Sequence, residues 1–289
     1  MRGLHCAVSF AFFALVLIVT MLVLHPAYLL ISLLGAAGCL AALTGFRGLL
    51  QRLRWVLPLM VLTVLFNAAF QHRGVTALFY LPNGNAVTLE STVFGLCAAA
   101  MLAAAVLWCG CMHQVLTSDK LMALTGRLLP AVSLLFSMAL RMVPRVLRCL
   151  RETYDAQKAA DGLTGPLAVP KRCVRALSGT VSWMLEHAVV TADSMKARGY
   201  GTGRRTHFHR EVWGRTETVF GLALGLLAAL TLWGIFSGCG TEVFYPSLQF
   251  SPPTAKNLAA WCCWALLGAL PMLLEGKEAL GWRRSGSTI

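Results

Sequence analysis

Six apolar runs set the limits on what this chain can become: Cys6–Leu24, Pro26–Thr44, Trp55–Phe70, Ser91–His113, Thr218–Ser237 and Asn257–Leu274. A helix needs roughly 17–25 predominantly apolar residues to cross the hydrocarbon core of a bilayer. Five runs meet that length, and Trp55–Phe70, the shortest, is expected to tilt or to reach into the headgroups. No run carries an ionisable side chain in its middle, and Glu90, Glu217 and Glu275 stand at the edges. Charged residues make up 13% of the chain and hydrophobic ones 57%, where soluble domains carry roughly 25% charge. A soluble domain is excluded. The first run reads as a spanning helix rather than a cleaved leader, because its apolar stretch is long and no small-residue cleavage site follows before His25-Pro26.

The net charge of +13 invites a nucleic-acid reading, which the distribution of charge removes. Of 25 Lys and Arg, 16 lie in residues 114–216. The others of that set are Arg2, Arg47, Arg52, Arg54, Lys277, Arg283 and Arg284, and only Arg73 and Lys256 fall in the alternate loops. Six spans with the N-terminus inside place all but those two in the cytoplasm, the positive-inside pattern. The expected location is therefore the cytoplasmic (inner) cell membrane with both termini cytoplasmic. The ten cysteines form no C-x-x-C pair, and within apolar runs they behave as small apolar residues.

The chain divides into 1–113, with four membrane helices and an external hairpin over 75–90; 114–216, a cytoplasmic unit; and 217–289, with two further membrane helices and a tail. The hairpin is expected to turn at Asn83-Gly84, and His25 to sit in a tight turn. In the cytoplasmic unit, Leu128–Ser137 contains Pro130 and is too short to span, so it reads as a re-entrant or interfacial piece. A helix over Ala139–Ala160 follows. It carries Leu140, Val143, Leu147, Leu150 and Tyr154 on one face, and Arg141, Arg145, Arg148 and Glu152 on another. Pro144 is expected to kink it. After a Pro/Gly linker, a second helix over Lys171–Arg198 repeats Val174, Leu177, Val181, Leu185, Ala188, Ala192 and Met195 at helical spacing, and would be ~40 Å long. Gly199 and Gly201 end it.

Chemistry-bearing motifs are sparse. Gly199-x-Gly201-x-Gly203 lacks the lysine and the spacing of a phosphate loop. His207 and His209, with His187 upstream, stand without a carboxylate or Cys at ligand spacing, so they read as solvated rather than metal-binding. No catalytic triad and no paired carboxylates are found. A self-sufficient secondary transporter or channel would need polar groups along its spans, where Asn67 and Gln71 are a meagre set. A membrane-embedded enzyme would need a catalytic cluster.

Several pieces recur together and in order: the His25-Pro26 turn, Thr117-Ser118-Asp119-Lys120, Leu140-Arg141-Met142-Val143-Pro144-Arg145, Ala156-Gln157-Lys158, and Ala192 through Gly201 with Ala197-Arg198-Gly199. In this arrangement the chain resembles the transmembrane T component of energy-coupling factor (ECF) transporters over most of its length. The resemblance implies an all-α polytopic membrane protein with about six transmembrane helices and two long amphipathic cytoplasmic coupling helices. It implies no catalysis by this chain, no directly bound cofactor, and ATP and Mg held by two partner ABC-type ATPases. A small membrane S component would bind a vitamin or other micronutrient. Ala197, Arg198 and Gly199 would form one ATPase-docking tip. The other, Lys158-Ala159-Ala160-Asp161-Gly162, lacks the arginine that the family places there, so docking would use Lys158 or Arg151, or rely on helix shape, or meet a compensating basic residue on the partner ATPase. Leu140, Leu147 and Leu150, with Val181, Leu185 and Ala188, either pack on each other or support the S component. Arg141, Arg145 and Arg148 either meet lipid headgroups or brace the coupling helices.

Overall fold

The computed structural model describes residues 5–71, 74–80, 86–117, 120, 130–160, 168–203, 214–240, 242–245, 248–252 and 254–285. These fall into two compact units, Met1–Lys120 with Val212–Ile289, and Leu121–Glu211.

The first unit is a bundle of α1 (Cys6–Leu22), α2 (Pro26–Phe70), α3 (Leu89–Val115), α6 (Arg215–Gly234) and α7 (Ala255–Ser285). A π turn, Ile235–Cys239, continues α6. Four helices are long and apolar enough to cross a membrane, over Pro26–Phe70, Leu89–Val115, Glu217–Cys239 and Ala255–Leu273, and α1 is a shorter apolar helix. The protein is therefore built as an all-helical membrane protein. The second and third apolar runs, expected as separate helices, are one 45-residue element. Its backbone breaks at Gly45 (φ 77°, ψ 169°), a conformation that only glycine adopts without steric cost. The arms 26–44 and 46–70 are thus joined by a single residue, and Arg47, Arg52 and Arg54 lie on helix. His25 caps α2, its Nδ1 accepting from the Ala27 N–H at 3.3 Å, and Pro26 supplies the pre-set φ of a first helical position.

In hydrocarbon every helix is already apolar outside, so helices associate through close backbone approach and a few polar bonds. Both devices are present. On α3, Gly95, Ala99 and Ala103 recur every fourth residue and are buried. A Cβ added at Gly95 would stand 2.9 Å from the Asn67 Cβ, so only glycine admits α2 at that depth. Between α2 and α7, a Cβ at Gly35 would lie 3.7 Å from the Gly268 Cα, and the Trp264 indole donates to the Tyr28 carbonyl at 3.2 Å. At the centre, Trp108 Nε1–H donates to Ser32 Oγ at 3.0 Å, and Ser32 Oγ also shares a hydrogen bond with Thr20 Oγ1 at 2.8 Å. Trp108 lies edge-on to Phe12 and Phe13, at 5.9 and 6.3 Å between ring centroids. One serine thus joins α1, α2 and α3.

Two short antiparallel pairs cap helix ends. In the segment expected to form a hairpin, β1 (Ala77–Tyr80) pairs with β2 (Ala86–Thr88); Asn83-Gly84 lies outside the described residues. Thr76 donates its hydroxyl to Glu90 Oε1 at 2.6 Å, and the carboxylate sits in the first turn of α3, where the helix dipole favours it. The second pair, β3 (Glu242–Val243) with β4 (Gln249–Phe250), had no sequence signal. Its Glu242 Oε1 accepts the Leu24 N–H at 2.8 Å and so holds the α1–α2 turn.

Ser32→Ala should lower unfolding stability in micelles by about 1–2 kcal/mol, because it strands the Trp108 N–H in an apolar core. Trp108→Phe should cost a similar amount, and the double variant less than the sum. Burial pushes the Glu242 carboxyl above its ordinary range, opposed by the Leu24 N–H. A raised carboxyl stabilises the folded state fully below its unfolded pKa and loses that contribution as pH rises through the folded value. Glu242→Gln keeps the acceptor without the charge. Its Tm should therefore exceed wild type at neutral pH, the difference closing toward about pH 4.

Candidate functional site

The second unit consists of α4 (Pro130–Ala160) and α5 (Ala168–Ala197). One expectation is corrected here. Leu128–Ser137 is not a separate re-entrant piece: from Pro130 on it is the start of α4. Pro144, expected to kink this helix, lies within its continuous span. The Pro144 side chain is exposed.

The two helices run antiparallel. Arg145 meets His187, Thr153 lies against Gly179, and Leu150, Tyr154 and Asp155 share a groove of about 680 Å³ with Cys173, Ala176 and Leu177. Rising positions on α4 thus face falling positions on α5. The inner face of α5 is Ala168, Arg172, Ala176 and Thr180, one residue per turn, all buried. Thr180 and Thr153 return their hydroxyls to the carbonyls of Ala176 and Cys149 at 2.7 and 2.8 Å. Their polar atoms are therefore satisfied within each helix, and apart from Arg172 small side chains line the α5 side of the contact.

Leu150, Tyr154 and Leu177 of the apolar stripes line this groove, while other members are turned away from the contact. Leu140 is 37% exposed, Leu147 49%, Val181 46% and Leu185 65%, and Ala188 is also exposed. Of the two uses left open for these residues, packing on each other is not the one observed. Leu150 is the exception, half-buried in the groove. Arg141, Arg145 and Arg148 are exposed, and Arg145 reaches across to His187 Nε2. The His187 ring stacks on Trp183 at 5.1 Å and 11°. Sequence reading passed over this pair. The signal was the Trp183-x-x-x-His187 spacing, which puts two flat rings on one helix face.

The end of α5 is built by its glycine. Gly199 has φ 79°, its N–H bonds the Lys196 carbonyl at 2.9 Å, and the Tyr200 N–H bonds the Met195 carbonyl at 3.0 Å. These are the two bonds of a Schellman cap. Arg198 is the last residue before the reversal: its backbone N–H bonds the Ser194 carbonyl at 3.2 Å, and its exposed guanidinium has no hydrogen bond or ion pair among the described residues. The cap thus presents a fork of donors at a fixed tip. Lys158, Ala159 and Ala160 end α4 and are exposed. Asp161, Gly162, His207 and His209 lie outside the described residues.

Gly199→Ala should lose about 1–2 kcal/mol locally, since an L side chain is strained at that φ. This is read as roughly ten-fold faster hydrogen exchange at the Gly199 and Tyr200 amides, with bundle amides unchanged. No family model matches the chain, and no curated protein matches it significantly.

Proposed function

We propose that this chain is the transmembrane coupling (T) subunit of an ECF-type ABC importer. It links ATP hydrolysis by two cytoplasmic ATPases to uptake of a vitamin or other micronutrient by a membrane S component. The observation that carries this reading is the outward turn of both apolar stripes on α4 and α5. Two helices that bury small and polar residues against each other, and expose Leu140, Leu147, Val181 and Leu185, carry faces suited to another apolar surface.

In this reading α1, the two arms of α2, α3, α6 and α7 make six crossings, with both termini cytoplasmic. The Arg198 fork docks on one ATPase, a planar always-charged donor being suited to a carboxylate or carbonyl groove. Lys158 through Gly162 meet the other without an arginine. Closure of the ATPases on ATP and Mg draws the two tips together, and α4 and α5 move as rigid levers under the S component. The chain itself is not an enzyme, and ATP and Mg belong to its partners.

A secondary transporter or channel is the alternative. Its scarce polar candidates have structural occupations: Asn67 Nδ2 bonds the Thr63 carbonyl at 3.0 Å, and Gln71 Oε1 accepts from the Tyr245 hydroxyl at 3.3 Å.

The test is a mild-detergent pull-down of the tagged chain from its native host, wild type against Arg198→Glu, read by mass spectrometry. Two ATPases and a small hydrophobic subunit should accompany wild type, and the ATPases should be lost from the variant. Wild type purifying alone would overturn the coupling reading.

A further inference from the structure

We infer that Arg145, His187 and Trp183 form a proton-released clasp between α4 and α5. An arginine has five N–H donors and no acceptor. The contact from Arg145 Nη1 to His187 Nε2 therefore exists only when Nε2 offers its lone pair, with the imidazole neutral and its proton on Nδ1. Taking up a second proton removes that lone pair and sets two cations against each other. Histidine is the side chain that makes this change between about pH 5 and 8.

The surroundings give the released ring somewhere to stay. Trp183 stacks on it from the same helix at 5.1 Å, and an aromatic face attracts a cation. Protonated His187 thus remains on α5 while Arg145 leaves from α4, so the change falls on the spacing of the two helices. The charged groups on the facing helix are Arg145 and, one turn to either side, Arg141 and Arg148, which add to the repulsion. The nearest carboxylate on α4, Glu152, is two turns from Arg145. On α5 itself, Glu186 and Asp193 are exposed. Among the described residues no carboxylate is paired with Arg145. The contact couples the two helices where Leu147 and Leu185 emerge on their outer faces.

The clasp rests on the geometry of the helix pair alone, so its test needs no partner and its failure leaves the coupling reading untouched. The full chain in lipid nanodiscs is compared by hydrogen exchange at about pH 5.5 and 7.5, labelling times being scaled for intrinsic exchange. For wild type, protection of peptides covering residues 141–149 and 183–191 should fall about five-fold at the lower pH, the scale of one net hydrogen bond. Peptides from α3 around Ala99–Leu107 should not change. His187→Gln, an acceptor that does not titrate, should be flat across pH. Arg145→Met, which removes the donor from the other helix, should also be flat, and it keeps the test decisive if the first variant folds poorly. Wild-type protection that does not respond to pH, a response shared equally by α3, or a response that persists in either variant would overturn the clasp.

Discussion

The Ser32 hydroxyl, held between Thr20 and the Trp108 indole, is the contact on which the bundle depends. In a bilayer, apolar side chains gain nothing by leaving lipid for one another, so something other than hydrophobicity must decide which helix faces meet. A buried N–H that finds an acceptor at one position only is such a device, because the alternative is a donor stranded in hydrocarbon. Around it the shape is completed by absence of side chain. Gly35 leaves room for the Trp108 ring and for the Gly268 backbone, and Gly95 admits Asn67. The polar bond selects the register and the glycines permit the distance.

The helix pair of the second unit applies the same logic and leaves a different remainder. Ala168, Ala176, Gly179 and Thr180, beside the buried Arg172, form the contact on α5, where small side chains let the helices approach closely and the Thr180 hydroxyl is satisfied within its own helix. The large aliphatic residues are left over on the outside. This inverts the usual amphipathic helix, where the apolar stripe is the buried one. Leu140, Leu147, Val181 and Leu185 are thus left exposed on the outer faces of the pair.

The tip of α5 shows how local geometry prepares a functional group. The Schellman bonds of Gly199 and Tyr200 fix the backbone on the C-terminal side of Arg198, which lies about three helical turns from His187 and about six from Leu177 in the groove. A side chain anchored on such a cap loses little backbone entropy on docking. The contact between Arg145 and His187 joins the two helices by side chains rather than by backbone approach.

Much of this was legible in the residues. Apolar run lengths located the membrane helices, and Gly199 after a long periodic segment marked the end of α5 within one residue, because chain length per turn and the φ of glycine are local properties. What lay beyond the sequence was choice among faces. A period of 3.6 reveals that α4 and α5 each carry an apolar stripe but not which stripe meets the neighbour, and here small residues won the contact. Nor could the runs at Pro26–Thr44 and Trp55–Phe70 reveal that only Gly45 separates their helices, since residues 46–54 become helical despite three arginines. The β3–β4 pair was silent because two-residue strands have no period to read. Sequence by itself determined that the chain enters a membrane, because desolvating a backbone depends on local composition. The tertiary structure alone decided that Ser32 meets Trp108 and that Leu185 faces outward, because those outcomes depend on which distant residue offers an acceptor or leaves a space.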